Sequence, residues 1–144
     1  MVGALAENLT QAVPFFHVRD MSASLRFYRD GLGFDLKLKW TPDAPDQIRW
    51  CQLEAGAVAL MLQEYVSGRR PNGELGQGVS ICFMCRDALA VYRDAVAGGL
   101  SPRRPFVGNG LWVVSFRDPD GYSIDFESPT DVPEETEYDP DVHA

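Results

Sequence analysis

"HVRDMSASLRFYRDGLGF", residues 17–34, returns in compressed form as "MCRDALAVYRDAVAGGL", residues 84–100. Each copy runs from an apolar, strand-like lead-in through Arg-Asp into an amphipathic segment that carries Tyr-Arg-Asp and closes on glycine. Around the first copy, "AVPFFHVR" (12–19) is short, aromatic and β-branched, with Pro14 near its start, and reads as a strand. Leu25, Phe27, Tyr28 and Leu32 fall at helical spacings, so the pattern predicts a helix over 21–32, with Asp20 or Ser22 placed to cap it and Gly31 and Gly33 to end it. Three strands follow, "FDLKLKW", "IRWCQLE" and "VALMLQE", separated by the turn stretches "TPDAPD" and "EAG". The order is βαβββ.

The second copy repeats it. "VSICFMC" reads as a strand, 88–97 as a helix ending at Gly98-Gly99, "RRPFV" (103–107) as a short strand, and "LWVVSFRD" and "YSIDFES" as a hairpin joined by "DPDG". "RDPDG" is taken as a purely structural turn. Between the copies, "SGRRPNGELGQG" holds four glycines and Pro71 and reads as a linker. The expected organisation is a first module at 10–66, a linker at 67–78, a second module at 79–129 and an acidic tail at 130–144. One helix covers only one face of a four-stranded sheet, so the other face has to curl around something or meet a partner.

Composition narrows the class. No run of ~18 apolar residues is present, which argues against a membrane helix. Residues 1–10 have neither a basic region nor a long apolar one, so no leader is read and a cytoplasmic location is expected. The chain carries 13 basic and 21 acidic residues, and six of the acids lie in the last fourteen positions, where there is no Lys or Arg. That tail is expected to be solvated and poorly ordered, and nothing resembles the clustered cations of a nucleic-acid surface. Cys51, Cys82 and Cys85 make an odd count that argues against a disulfide framework. In a strand, Cys82 and Cys85 point to opposite faces and cannot share a metal; both are expected to be buried small hydrophobes.

"VRDMSASLRFYRDGLGF" and "VVSFRDPDGYSIDFES", with the repeat order, resemble the vicinal oxygen chelate superfamily of glyoxalases, extradiol dioxygenases, fosfomycin-resistance enzymes and bleomycin-resistance proteins. The resemblance spans residues 12–129. It implies an α+β fold in which two βαβββ modules form an eight-stranded, U-shaped cup around the site, and it implies frequent homodimers, some sharing the cup between chains. Metal-dependent members place one ligand on each of four cup strands. Those positions map here to Val13, to Ala59 or Leu60, to Ser80 and to Asp125, so one competent ligand of the four remains. No metal and no cofactor are therefore expected. A triad of His17, Asp125 and Glu127 would be a different arrangement. The opening "AVPFFHVRDM" resembles that of bleomycin-resistance proteins, which sequester a drug and catalyse nothing.

Strand alternation assigns the cup face. With Val13 in phase, Phe15 and His17 face the cup, as do Ser80, Cys82 and Met84, and Ser123, Asp125 and Glu127; Phe16, Val18, Ile81, Phe83, Cys85, Ile124 and Phe126 face the core. His17 either binds an anion or shuttles a proton, or is a strand histidine bonded to a neighbour. Asp125 and Glu127, two apart on one face, bring carboxyls to roughly 6–7 Å, which suits acid–base work or a cationic ligand; alternatively Glu127 is solvated at the strand end. Trp50, on a face with Gln52, and Trp112 could stack on a planar ligand, whereas Trp40 is assigned a structural role. The candidate ligand set is Phe15, His17, Trp50, Gln52, Ser80, Met84, Trp112, Asp125 and Glu127. The leading expectation is a metal-free protein that binds a small-molecule ligand, acts as a homodimer and touches neither nucleic acid nor membrane. The alternative is a lyase, isomerase or dioxygenase in which His17 and Asp125 are catalytic; a third is a regulatory subunit with an empty cup.

Overall fold

Asp20 and Asp87 start the helices of the two repeats in the same way. The Asp20 carboxylate accepts the Ala23 N–H at 3.2 Å and the Asp87 carboxylate accepts the Ala90 N–H at 3.0 Å, each satisfying a donor that the first helical turn leaves unpaired. In the computed structural model, which describes residues 3–144, the elements follow in the order α1 (Ala4–Asn8), β1 (Phe15–Val18), α2 (Met21–Leu25), β2 (Asp35–Trp40), β3 (Trp50–Ala55), β4 (Val58–Glu64), β5 (Ser80–Met84), α3 (Ala88–Ala97), β6 (Phe106–Gly108), β7 (Leu111–Arg117) and β8 (Ser123–Pro129). Met1 and Val2, part of the stretch read for a leader, lie outside the described residues. Among the described residues no helix is long and apolar enough to cross a membrane.

The helix expected over 21–32 is not one α-helix. After Leu25 it widens into a π-helical segment, Arg26–Gly31, in which the Leu32 N–H reaches the Phe27 carbonyl at 2.9 Å. The wider turn lets the consecutive aromatics Phe27 and Tyr28 both be buried, edge to face with centroids 4.9 Å apart. Two further departures have simple causes. The ladder of β6 begins only after Pro105, which has no N–H to give, and α1 is an isolated five-residue turn with every residue exposed.

Each repeat builds one four-stranded sheet, in the orders β1-β4-β3-β2 and β5-β8-β7-β6. The first strand of each runs parallel to the fourth, and the remaining pairs are antiparallel. The fold is thus α+β with two βαβββ repeats, as expected. The inward rows, including Phe16, Val18, Leu60 and Leu62 from the first sheet and Phe83, Val114, Ile124 and Phe126 from the second, join the helices in one buried cluster. Aromatic pairs stitch the halves together: Phe16 stacks on Tyr122 at 4.4 Å, Phe34 meets Phe83 at 6.0 Å and Phe27 meets Phe116 at 6.2 Å. The helix ends touch so closely that a Cβ on Gly31 would sit 2.8 Å from Leu100 Cγ.

"RDPDG" does more than turn the chain. Buried Asp118 accepts the Tyr28 hydroxyl at 2.8 Å and the Asp120 and Tyr122 N–H groups at 2.9 Å each. Asp120 in turn accepts the Arg19 backbone N–H at 3.1 Å and its guanidinium at 3.2 Å, and Arg19 also donates to the Pro71 and Gly73 carbonyls. The turn, the linker and the start of the first helix are therefore clasped together. Burial pushes the Asp118 carboxyl above the usual carboxylate range and the Tyr28 hydroxyl far above its own.

The tail is docked rather than loose. The Glu134 carboxylate accepts the Asn109 and Gly110 N–H groups at 3.0 and 2.6 Å, and the Glu135 N–H donates to the Val107 carbonyl at 2.9 Å. Tyr138, only 6% exposed, packs on Tyr92 with centroids 5.1 Å apart, while its N–H donates to the Pro105 carbonyl at 2.8 Å. A charge count misses this because the tail's acids find backbone donors and Arg104, and its one tyrosine finds a hydrophobic slot.

Candidate functional site

Opposite the core, each sheet presents an open face whose residues follow from register. On the first sheet the pairings His17 with Gln63, Gln63 with Trp50 and Trp50 with Trp40 make one row across all four strands. Phe15, Met61, Gln52 and Leu38 form the next row. Phe15 stacks on His17 at 5.1 Å with the rings 2° from parallel, and Tyr65 approaches the same imidazole at 5.5 Å. The Tyr122 hydroxyl fixes the strand here by donating to the His17 carbonyl at 2.9 Å.

On the second sheet the rows are Met84, Glu127, Val113 and Phe106, then Cys82, Asp125 and Ser115, then Ser80, Ser123 and Arg117. Cys82 Sγ lies 4.0 Å from an Asp125 carboxylate oxygen. The alternation expected from sequence holds on β1, β3, β5 and β8: Phe15, His17, Trp50, Gln52, Ser80, Met84, Asp125 and Glu127 all stand on open faces, with Phe16, Cys51, Phe83 and Phe126 buried behind them.

Three placements differ from expectation, and one arrangement left open by the sequence is not formed. Trp112 is only 6% exposed, paired opposite buried Ser128 on the core side, and it packs against the tail at Tyr138 and at His143, 5.0 Å away; it cannot line the open face. Trp40 stands on the open face, 53% exposed, because an irregularity between Leu36 and Leu38 shifts the phase of β2. Cys82 is exposed rather than buried, since it shares the face of Ser80 and Met84. His17 and Asp125 belong to different sheets, and no hydrogen bond or ion pair joins them, so the triad with Glu127 is not formed. Gln63, Met61 and Tyr65 are face or rim residues that the sequence reading did not single out; Gln63, a lone amide at the end of the apolar run "VALML", was the available signal.

The four positions that the resemblance assigns to metal ligands do not supply a converging donor set here. Val13, Ala59 and Leu60 have no donor, Ala59 and Leu60 are buried, and Ser80 adds only a hydroxyl to Asp125. A different trio, Cys82, Asp125 and Glu127, brings three donor atoms within 4.8 Å of one another, the one such group among the described residues. Burial first, then the Glu127 and Asp125 charges, push the Cys82 thiol up, so it is no ready nucleophile. Burial likewise raises the Cys51 thiol to about 11.

At the outer end of the first row lies a cavity of about 650 Å³ lined by Trp40, Gln63, Tyr65, Arg49, Glu64 and Arg70 among others. Arg49 there joins Asp43 at 2.8 Å and also bonds Glu64.

A family model described as the glyoxalase/bleomycin resistance protein/dioxygenase superfamily matches residues 11–126. No curated protein matches the chain in sequence. Among solved structures, a bleomycin-binding protein complexed with bleomycin is 24% identical, with 85% of this chain and 100% of that one covered and a TM-score of 0.64. TnmS3, an antibiotic-binding protein from Streptomyces sp. CB03234, is 21% identical over 84% of this chain and 98% of its own, with a TM-score of 0.61. A hypothetical protein from S. aureus is 23% identical over 88% and 99%, with a TM-score of 0.60. At these identities the likeness establishes the fold.

Proposed function

This chain belongs to the glyoxalase/bleomycin resistance protein/dioxygenase superfamily, and from that premise we propose that it is a metal-free binding protein for a small molecule, a drug or a metabolite. The observation that carries this reading is the loss of donors at Val13 and at Ala59 or Leu60, together with open faces that keep aromatic and polar side chains in register. Enclosure by Phe15, His17 and Trp50 supplies apolar area, while Gln52, Asp125 and Glu127 fix orientation. The bleomycin-binding and antibiotic-binding neighbours show that the same fold supports such a task.

One chain supplies two separate open faces, each bearing exposed apolar residues such as Leu38 and Trp40 on one and Met84, 60% exposed, on the other. We read the working form as a homodimer in which these faces enclose the ligand. Its three free cysteines suit the reducing cytoplasm.

The test is a thermal-shift screen of tag-free protein against bleomycin, other antibiotics and small oxyacids in EDTA, alongside elemental analysis. The reading expects no stoichiometric metal and a ligand-dependent rise in Tm; a hundredfold excess over Kd adds about 2.7 kcal/mol. Stoichiometric metal, with ligand shifts that vanish on chelation, would contradict it and favour a lyase, isomerase or dioxygenase.

A further inference from the structure

We propose that the linker carries a site of spontaneous covalent modification, Asn72, whose side-chain amide is lost when the Gly73 nitrogen attacks it, and that Glu134 protects the second such step, Asn109-Gly110. These are the two Asn-Gly steps of the chain; its third asparagine, Asn8, precedes Leu9. Glycine favours the reaction because the attacking atom is its main-chain nitrogen, with no side chain beside it to block the approach. The Gly73 nitrogen gives its proton to hydroxide and its electron pair to Asn72 Cγ. The Cγ–Nδ2 bond breaks, the leaving amide takes a proton from water and departs as ammonia, and a succinimide ring joins residues 72 and 73. Water then opens the ring. Opening at Cγ leaves aspartate; opening at the main-chain carbon leaves isoaspartate, which puts an extra methylene into the backbone.

Exposure does not separate the two steps, since all four residues are exposed. Hydrogen bonding does. The Glu134 carboxylate accepts the Gly110 N–H at 2.6 Å and the Asn109 N–H at 3.0 Å, and the Gly110 carbonyl accepts the Thr130 N–H at 3.0 Å. To attack, the Gly110 nitrogen has to leave a charge-assisted bond and become an anion beside a carboxylate. Among the described residues the Asn72 and Gly73 N–H groups make no hydrogen bond, and nothing lies within 4 Å of where a Gly73 Cβ would stand. The site also matters to the fold. Arg19 donates to the Pro71 carbonyl at 2.8 Å and to the Gly73 carbonyl, on either side of Asn72, while it pairs with Asp120 of the second repeat. An extra methylene between those two carbonyls changes their spacing and loosens the clasp.

The test is to age the full chain at mildly alkaline pH and body temperature and to follow aspartate and isoaspartate at each site by peptide mapping and mass spectrometry. In the folded protein Asn72 should convert faster than Asn109 by about tenfold or more, the difference expected for one charge-assisted bond. In urea, where that bond is gone, the two sites should react at similar rates. Glu134→Ala should speed Asn109 and leave Asn72 as it was. Wild-type protein aged until Asn72 has converted should melt lower than fresh protein, and Asn72→Gln protein treated alike should not. Equal rates in the folded state, faster conversion at Asn109, a folded-state difference that persists in urea, or an Asn109 rate indifferent to Glu134→Ala would each overturn the proposed protection. An unchanged Tm after conversion of Asn72 would overturn its link to the clasp.

Discussion

The Tyr28 hydroxyl and the Asp118 carboxylate, 90 positions apart in the chain, form a buried hydrogen bond at 2.8 Å between the repeats. Tyr28→Phe leaves a buried acceptor short of one partner and should cost about 1–3 kcal/mol in urea denaturation. Asp118 also gives stability a pH dependence. Its folded carboxyl titrates above the ordinary aspartate range because of burial, so the folded state binds more protons than the unfolded state within that window. Its contribution to stability therefore falls as pH rises from about 4 through the folded value. The change in urea midpoint across that window should lose this component in Asp118→Asn. In sequence Asp118 was legible as a turn residue, but its partner was not, because nothing local marks a contact between residues 28 and 118. Trp40 shows the opposite limit. Alternation places a residue only while the strand is regular, and the irregularity at Leu36/Leu38 breaks the count just before it.

At the scale of elements, α3 runs over Ala88–Ala97 as expected, and six of the eight strands lie within about two residues of the stretches read for them, β1 and β6 starting late, at Phe15 and Phe106. Local signals sufficed because each element carries its own stop: glycine after the helices, Pro and Asp in the turns. The π-helical segment and the docked tail were not legible, since both arise from tertiary packing, of Phe27 against Phe116 and of Tyr138 against Tyr92. Tyr138→Ala should destabilise the protein by about 3 kcal/mol, as for other buried aromatics. It should also shift tryptophan emission to the red by wetting Trp112; an unchanged spectrum and midpoint would show the tail to be a passenger. The linker is equally specific. Gly76 has φ +72°, and a Cβ there would lie 2.5 Å from the Tyr122 ring, so Gly76→Ala should cost about 1–3 kcal/mol in the same assay.

For the whole molecule, the repeat explains both the shared core and the two uncovered sheet faces. One buried cluster holds the halves together, while the rows led by His17 on one sheet and by Met84 on the other remain open. A homodimer follows from the proposed enclosure: sedimentation should give twice the 16.0 kDa chain mass, and Leu38→Glu or Met84→Glu should shift it toward monomer and weaken ligand binding together. Which faces are open was legible from alternation; that both keep exposed apolar side chains such as Leu38 and Met84 in the single chain was not, because sequence does not say how two modules are set against each other. The central claim is that these faces hold a small molecule without help from a metal. Its most direct measurement is calorimetric titration of the strongest thermal-shift ligand into tag-free protein, with and without EDTA, beside a Trp50→Ala variant. The account predicts saturable binding of equal affinity in both buffers and a loss of about tenfold or more in the variant. Binding that disappears on chelation, or that ignores Trp50→Ala, would contradict it.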